Sequence, residues 1–288
     1  YEIVFGDWSS YVCSSDLWIY AELQMMYKTI LRYPGGKSRA VEFLYSKCPE
    51  NFTEYREPFA GGASLFLYVK QRRSTICKYW INDINEDLYL FWEYAKNRNA
   101  DLVKAIESFR KKFENGRDMY YYMIGNKDQF SPIELAARFF ILNRITFSGT
   151  ADAGGYSQQA FEKRFTESSI NRLILSEQTL KDTQVTNFDY ADLLYGDGRD
   201  VFIFLDPPYY SAMKSRLYGK RGCDHVGFDF VRLADHLKHC KHKYLLTLDD
   251  DPYIRDTFSF AFINEWSLQY GMNNVSSNIA KKGNELLI

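Results

Sequence analysis

The chain has 288 residues, 46% hydrophobic and 25% charged, with a net charge of −1. That length holds one large domain or two small ones, and the balance is that of an ordinary soluble globular protein. No stretch approaches the roughly 20 apolar residues that cross a bilayer, and no global basic field announces nucleic acid, which leaves room only for a local basic patch.

In chain order, Gly6 to Leu17 resembles the conceptual translation of a sequencing adapter. It is no signal peptide, because no basic segment precedes an unbroken apolar core. The natural start is placed near Met25 or Met26, and residues 1–24 are set outside the fold as a non-native extension. Five cysteines (Cys13, Cys48, Cys77, Cys223, Cys240), odd in number and irregular in spacing, fit reduced intracellular thiols better than a disulfide framework.

Apolar spacing predicts a helix over Ser38 to Ser46, a short strand from Thr53 to Glu57, and a helix from Ser64 to Lys70. A second strand runs from Ile76 to Ile81, closed by Asn82-Asp83, and a helix follows from Asn85 to Asn97. Strand, glycine turn, helix, strand and acidic end follow the βαβ logic of a nucleotide-type cofactor site. Helices are then expected over Asp101 to Phe113, Pro132 to Ile145 and Thr166 to Leu180, with a glycine-bearing polar loop from Ser148 to Tyr156. Ser131 suits the cap of the second of these helices and Pro132 its first turn.

The sheet resumes at Val185 to Asn187, Val201 to Leu205, Tyr244 to Leu248 and Phe260 to Trp266, with a helix from Phe230 to Cys240. The expected organisation is an α/β catalytic domain, 25–99 with 184–288, interrupted by a helical insertion at 100–183. The last residues, Glu285 to Ile288, read as a strand in progress.

The most informative piece is Asp206-Pro207-Pro208-Tyr209, directly after the apolar run Val201 to Leu205. Two prolines end that strand. The turn sets a carboxylate, rigid carbonyls and an aromatic ring at the carboxyl edge of the sheet, where open α/β sheets bind ligands. A flipped-out base with an exocyclic amine needs such a set.

Upstream, Glu57-Pro-Phe59-Ala-Gly61-Gly sits where the first strand meets its helix. The diphosphate spacing of glycines is absent, which favours a cofactor without a diphosphate, such as S-adenosylmethionine. Asp83 follows Gly61 by 22 positions and is placed to accept ribose hydroxyls, or else to cap the next helix.

Three ordered blocks, Leu31 to Lys37, Glu57 to Ser64 and Ile81 to Asn85, precede Asp206 to Tyr209. In this the chain resembles the alpha-group DNA N6-adenine methyltransferases, the deoxyadenosine methylase type, from about Lys28 to its last residue. The resemblance implies an S-adenosylmethionine-dependent methyltransferase fold, doubly wound and mostly parallel, with a target-recognition insertion. It also implies double-stranded DNA as substrate, and a last strand that usually continues beyond the point reached by Ile288.

By the same resemblance, Tyr33 and Lys37 contact the methionine end of the cofactor. Glu57, Phe59 and Gly61 line its site, and Asp189 lies near its adenine. Asp206, Pro207 and Tyr209 are catalytic, and Asp206 also touches the cofactor.

Asn143, Arg144, Thr146, Ser148, Gln158 and Gln159 are base-edge types, while Lys163, Arg164 and Arg172 are phosphate types. Lys214 and Arg216, with Lys220 and Arg221, form a second basic loop suited to a flipped strand. His236, His239 and His242 drift around their helix and read as a polar face rather than a metal site.

The expected protein is a monomeric, cytoplasmic enzyme of a prokaryote or phage, with a cognate restriction endonuclease as a candidate counterpart. The competing readings are a methyltransferase of the same fold acting on RNA adenine or protein glutamine, and a DNA-binding relative without catalysis.

Overall fold

The structure, a computed structural model, describes residues 29–33, 35–73, 75–76, 78–211, 227–269 and 282–288. The adapter-like extension, Cys13, Cys77, Cys223 and the basic loop with Lys214, Arg216, Lys220 and Arg221 lie outside the described residues.

Seven strands form one sheet: β1 Glu54–Glu57, β2 Lys78–Asn82, β3 Thr183–Thr186, β4 Val201–Leu205, β5 Lys243–Asp249, β6 Asn264–Gln269 and β7 Lys282–Leu287. Their order is β3-β2-β1-β4-β5-β7-β6. The first five pair in parallel, and β7 runs antiparallel to both β5 and β6. Every residue of β1 and β4 is buried, as expected for strands covered on both faces. The chain winds outward from β1 through β2 to β3, then returns to β4 beside β1. That reversal opens a crevice at the carboxyl ends of β1 and β4, the switch point where such sheets take ligands. Glu57 ends one strand and Asp206 follows the other.

Helices α1 Val41–Lys47, α2 Ser64–Arg72, α3 Glu86–Asn97, α4 Asn99–Lys112, α5 Gly116–Gly125, α6 Pro132–Ile145, α7 Gln158–Arg164, α8 Glu167–Leu180, α9 Tyr190–Tyr195, α10 Phe230–His239 and α11 Pro252–Thr257 complete the described fold. Helix α6 starts where the sequence indicates, with Pro132 in its first turn and a reciprocal cap between Ser131 and Glu134. It is buried throughout from Ala136 to Ile145, so it is a core helix rather than a surface one.

Helix α6 packs on α3, where Phe91 stacks on Phe140 at 5.9 Å. A pair of this kind adds roughly 0.5–1.5 kcal/mol beyond area burial. A buried ionic cluster ties the same helices. Arg138 donates to Asp87 at 3.0 Å and to the Met123 carbonyl at 2.8 Å, and also pairs with Asp152. The helical insertion therefore shares one hydrophobic core with the helix that follows β2.

Four helices escape the apolar pattern. Each of α5, α7, α9 and α11 begins at a capping side chain, from Asn115, Ser157, Asp189 and Asp251 respectively. All four are short, so caps and tertiary contacts outweigh periodicity. Gly116 opens α5 because a Cβ there would come within 2.5 Å of the Phe161 ring on α7. The sixth strand is also shifted. It covers Asn264–Gln269 rather than starting at Phe260, because 258–261 form the turn leaving α11, and Phe262 is 92% exposed.

Candidate active site

A cavity of about 740 Å³ opens at the switch point. Its walls come from the glycine turn after β1, the ends of β2 and β3, the turn after β4, the end of β5, and β7. All four sequence blocks line it, through Lys37, Gly61, Asp83 and Asp206 among others.

The glycine turn is shaped by backbone necessity. Gly61 has φ +46°, and a Cβ there would lie 2.9 Å from the Tyr33 ring. Gly62 is almost as tight, with 3.1 Å to the Cβ of Tyr33. The glycines thus let the Tyr33 side chain close on the turn, where an added Cβ would displace the ring. Asp83 locks the turn from β2: its Oδ2 accepts the Gly61 N–H at 2.9 Å and its Oδ1 the Asn85 N–H at 3.0 Å. Asn85 caps α3, which frees Asp83 from that task.

Asn82 was not singled out from the sequence. Its Nδ2 donates to the carbonyls of Pro58 and Phe188, and its Oδ1 accepts from Thr186 and the Phe188 N–H. One side chain so stitches three strand ends together.

Phe59, Tyr190 and Phe228 form an aromatic wall, with Phe59 centred 5.3 Å from Tyr190 and 5.7 Å from Phe228. Phe188 lines the same space and is 49% exposed. Asp189 caps α9 through the Ala191 N–H and pairs with Arg232 at 3.0 Å. Burial alone would raise its carboxyl, but Arg232 and the Ala191 N–H hold it below its ordinary value.

Glu57 is buried and accepts the Tyr55 hydroxyl at 2.9 Å and the Phe66 N–H at 3.0 Å. Desolvation pushes it up to about 8, with Asp206 and Asp83 adding to the rise. Apart from the protonated Glu57, the lining is acidic: Asp83, Asp189, Asp206, Asp229 and Asp249 to Asp251 against Lys37 and Arg232. Such a wall suits a cationic ligand and repels a diphosphate.

At the centre, Lys37 donates to Oδ1 of Asp206 at 2.8 Å, to Oδ2 at 3.1 Å and to the Gly35 carbonyl at 3.0 Å. The Thr247 hydroxyl donates to Oδ1 of Asp206 at 2.7 Å. Lys37, expected at the methionine end of the cofactor, is paired here with Asp206. Its ammonium also stands 4.7 Å from the centre of the Tyr209 ring. Tyr209 donates to Glu285 at 2.8 Å. The backbone after it is held by Asp249, which accepts the N–H groups of Tyr210 and Ser211, each at 2.8 Å. Thr247, Asp249 and Glu285 carry no motif signal; only the pairing of β5 with β7 reveals them.

The insertion sorts the predicted DNA residues by exposure. Asn143 is fully buried: it accepts the Arg32 N–H at 3.0 Å and donates to the carbonyls of Arg32 and Gly149. Thr146 is buried and donates to the Leu142 carbonyl. In this arrangement neither side chain offers a group to a DNA groove. Asn143 fastens the loop bearing Lys37 to the insertion instead.

Arg144 is also buried, and its Nε and Nη2 have no hydrogen-bond partner among the described residues. Desolvation, with Arg172 nearby, lowers it to about 9. Ser148 is half-buried at φ +56°, beside Phe147, which is 68% exposed. Gln158, Gln159 and Lys163 are exposed on α7, and Arg164 is half-buried at its end.

The three histidines take separate partners: Tyr195 for His236, the Asp235 carbonyl for His239 and the Gly196 carbonyl for His242. Cys48 and Cys240 are free thiols. Among the described residues no helix is long and apolar enough to cross a membrane.

Comparison with known proteins adds to this geometry. The family model described as D12 class N6 adenine-specific DNA methyltransferase matches residues 33–272. The type II methyltransferase M.CviBI of Paramecium bursaria Chlorella virus NC1A is 27% identical over 255 residues, 84% of this chain and 91% of that protein. The type II methyltransferase M.MjaIII of Methanocaldococcus jannaschii is 26% identical, over 73% of this chain and 79% of its own. The DNA adenine methylase of Salmonella typhi is 22% identical, over 90% of this chain and 94% of its own.

Proposed function

The chain belongs to the D12 class of N6 adenine-specific DNA methyltransferases, and we propose that it carries a methyl group from S-adenosylmethionine to a flipped adenine through the site around Asp206. The observation that carries this reading is the convergence of Lys37, the Gly61 turn, Asp83 and Asp206 on one cavity. When bound, the cofactor supplies an electrophilic methyl group on a sulfonium. Its cationic sulfonium and ammonium suit the acidic lining, and the Phe59, Phe188 and Tyr190 wall suits its adenine. Asp83 and Asp189 are the acceptors for ribose hydroxyls and the adenine amine, and Tyr33 covers the methionine side of the glycine turn.

The exocyclic amine of adenine is a weak nucleophile, because its lone pair is delocalised into the ring. Asp206 and the Pro207 carbonyl accept hydrogen bonds from its two N–H groups and draw the nitrogen toward tetrahedral geometry. That localises the lone pair and favours the transition state selectively. Once methylated, the nitrogen would release one proton through the Asp206 carboxylate to solvent. The proline ring fixes its carbonyl and offers no competing N–H. Thr247 holds one Asp206 oxygen in place, and Tyr209 stacks on the extruded base.

Residues 100–183 form the target-recognition part in this reading. Ser148, Gln158 and Gln159 stand at its surface as base-edge readers, Phe147 as an exposed stacking ring, and Lys163 and Arg164 as phosphate contacts. Arg144 is 3% exposed, with Nε and Nη2 unpartnered among the described residues; a DNA phosphate would pair it where DNA binding uncovers it. Lys214 and Arg216 are proposed to hold the flipped strand. The type II names of two relatives support a cognate restriction endonuclease as cellular counterpart.

Expression in a methylation-free host, followed by single-molecule sequencing of modified bases, tests the reading. N6-methyladenine at one short recurring sequence is expected. N4-methylcytosine, methylated RNA or methylglutamine in its place would overturn it.

A further inference from the structure

Glu285 is a buried carboxylate in the wall of the active-site cavity, 1% exposed. One oxygen accepts the Tyr209 hydroxyl at 2.8 Å, and the other, Oε1, is buried with no hydrogen-bond partner among the described residues. Directly across the β6–β7 pair stands Trp266, whose Nε1 is likewise buried and unpartnered, so Trp266 does not satisfy it. A buried carboxylate half left unpaired is expensive, which argues for a task beyond filling the core.

Four charged or titratable groups face Glu285: Lys37 before α1, Asp206 and Tyr209 after β4, and Asp249 at the end of β5. Glu285 is raised to about 7, chiefly by desolvation and helped by Asp206 and Asp249, against the opposing pull of Lys37 and the Tyr209 hydroxyl.

We propose that Glu285 is a positioning residue for methyl transfer, setting the tilt of the Tyr209 ring through the Tyr209 hydroxyl so that the ring meets the face of the extruded base. The inference rests on the stacking role given to Tyr209. The geometry gives that ring two constraints: the Asp206-Pro-Pro turn fixes its Cα, and Glu285 fixes its far end. Lys37, between Asp206 and the ring face, ties both to the same charge. A strand at the opposite end of the chain thereby sets the working angle of the catalytic turn. Glu285 touches no reacting atom.

The test is a double-mutant cycle between Glu285→Leu and Tyr209→Phe, read as kcat and KM for cofactor and DNA, with Tyr209→Ala alongside. Tyr209→Phe keeps the ring and loses only its hydroxyl. Each single change is expected to lower kcat roughly tenfold or more, with cofactor KM little changed. The double variant should be no worse than Tyr209→Phe alone. Glu285→Gln, whose amide oxygen still accepts the hydroxyl, should recover most of the loss.

Additive losses in the double variant would overturn the proposal, as would full kcat in Tyr209→Phe beside an impaired Glu285→Leu. If Glu285→Leu fails to melt cooperatively, Tyr209→Phe and Glu285→Gln decide: full kcat in Tyr209→Phe, or a loss in Glu285→Gln as deep as that of Tyr209→Phe, overturns the assignment. Full activity in Tyr209→Ala would instead remove the stacking role itself, a failure distinct from that of Glu285.

Discussion

Lys37 Nζ lies 2.8 Å from Oδ1 and 3.1 Å from Oδ2 of Asp206, joining residues 169 positions apart in the chain. The lysine side chain is 2% exposed and the aspartate side chain 20%. Breaking a pair this deeply buried by removing one partner leaves a charge without compensation. Lys37→Met is therefore expected to reduce stability by about 1–3 kcal/mol and to lower methyl transfer strongly, because Asp206 loses the charge that orients it. Chemical denaturation and single-turnover assays check both effects. Unchanged turnover in Lys37→Met would separate the ion pair from catalysis.

Asp206→Ala should fold, because the residue sits at a strand end with its side chain partly exposed, and it should retain measurable cofactor binding. Methyl transfer should fall by orders of magnitude, as loss of one preorganised acceptor costs about 10²–10³ in rate. Asp206→Asn should be milder, since its amide oxygen still accepts one hydrogen bond. Near-normal turnover in Asp206→Ala would defeat the mechanism even if the product were N6-methyladenine.

Glu57 makes stability depend on pH in a stated direction. Its carboxyl is raised from an ordinary 4.5 to about 8 by burial. Between those values the folded protein holds a proton that the unfolded chain has released, so stability falls as pH rises through that window. Glu285 has the same sign, raised to about 7. Glu57→Gln keeps an acceptor for Tyr55 and Phe66, and is expected to flatten the decline in melting temperature between pH 5 and 8 without abolishing it. An identical slope in the variant would assign the dependence elsewhere.

Gly61→Ala should weaken the cofactor site more than the fold. The added methyl group meets the Tyr33 ring at 2.9 Å in a backbone of φ +46°, a left-handed conformation that costs a non-glycine residue roughly 1–2 kcal/mol. The ring must then leave the turn it covers. Isothermal calorimetry with S-adenosylmethionine should show at least a tenfold loss of affinity, roughly 1.4 kcal/mol. Wild-type affinity would show that Tyr33 is not part of the site.

Arg144→Met should trade one property against another. Removing a buried guanidinium with two unpartnered nitrogens relieves a desolvation cost, so stability should hold or rise. Affinity for duplex DNA should fall, and the slope of log affinity against log salt should shrink by about one. A salt slope equal to that of the unmutated protein would exclude a phosphate contact at Arg144.

The sequence by itself determined what local chemistry dictates. The strand Val201–Leu205 and helix Pro132–Ile145 were legible to the residue, because an all-apolar run before two prolines and a capped, proline-led helix need no partner to be recognised. The order of the glycine turn, Asp83 and the Asp206 turn was legible for the same reason: each ends an element that periodicity defines. Short helices such as Gln158–Arg164 were not, since their start rests on a cap and their stability on neighbours. Nor did residue type disclose burial. Asn143 looks like a base reader, yet it spends its amide on Arg32 and Gly149.

Only the tertiary structure decided that Lys37 answers Asp206, and that Thr247, Asp249 and Glu285 surround the turn from Asp206 to Tyr209. The reason is physical. Parallel and antiparallel pairing brings β4, β5 and β7 side by side across long stretches of chain. The charges that meet at their ends are fixed by strand register, which no local pattern encodes.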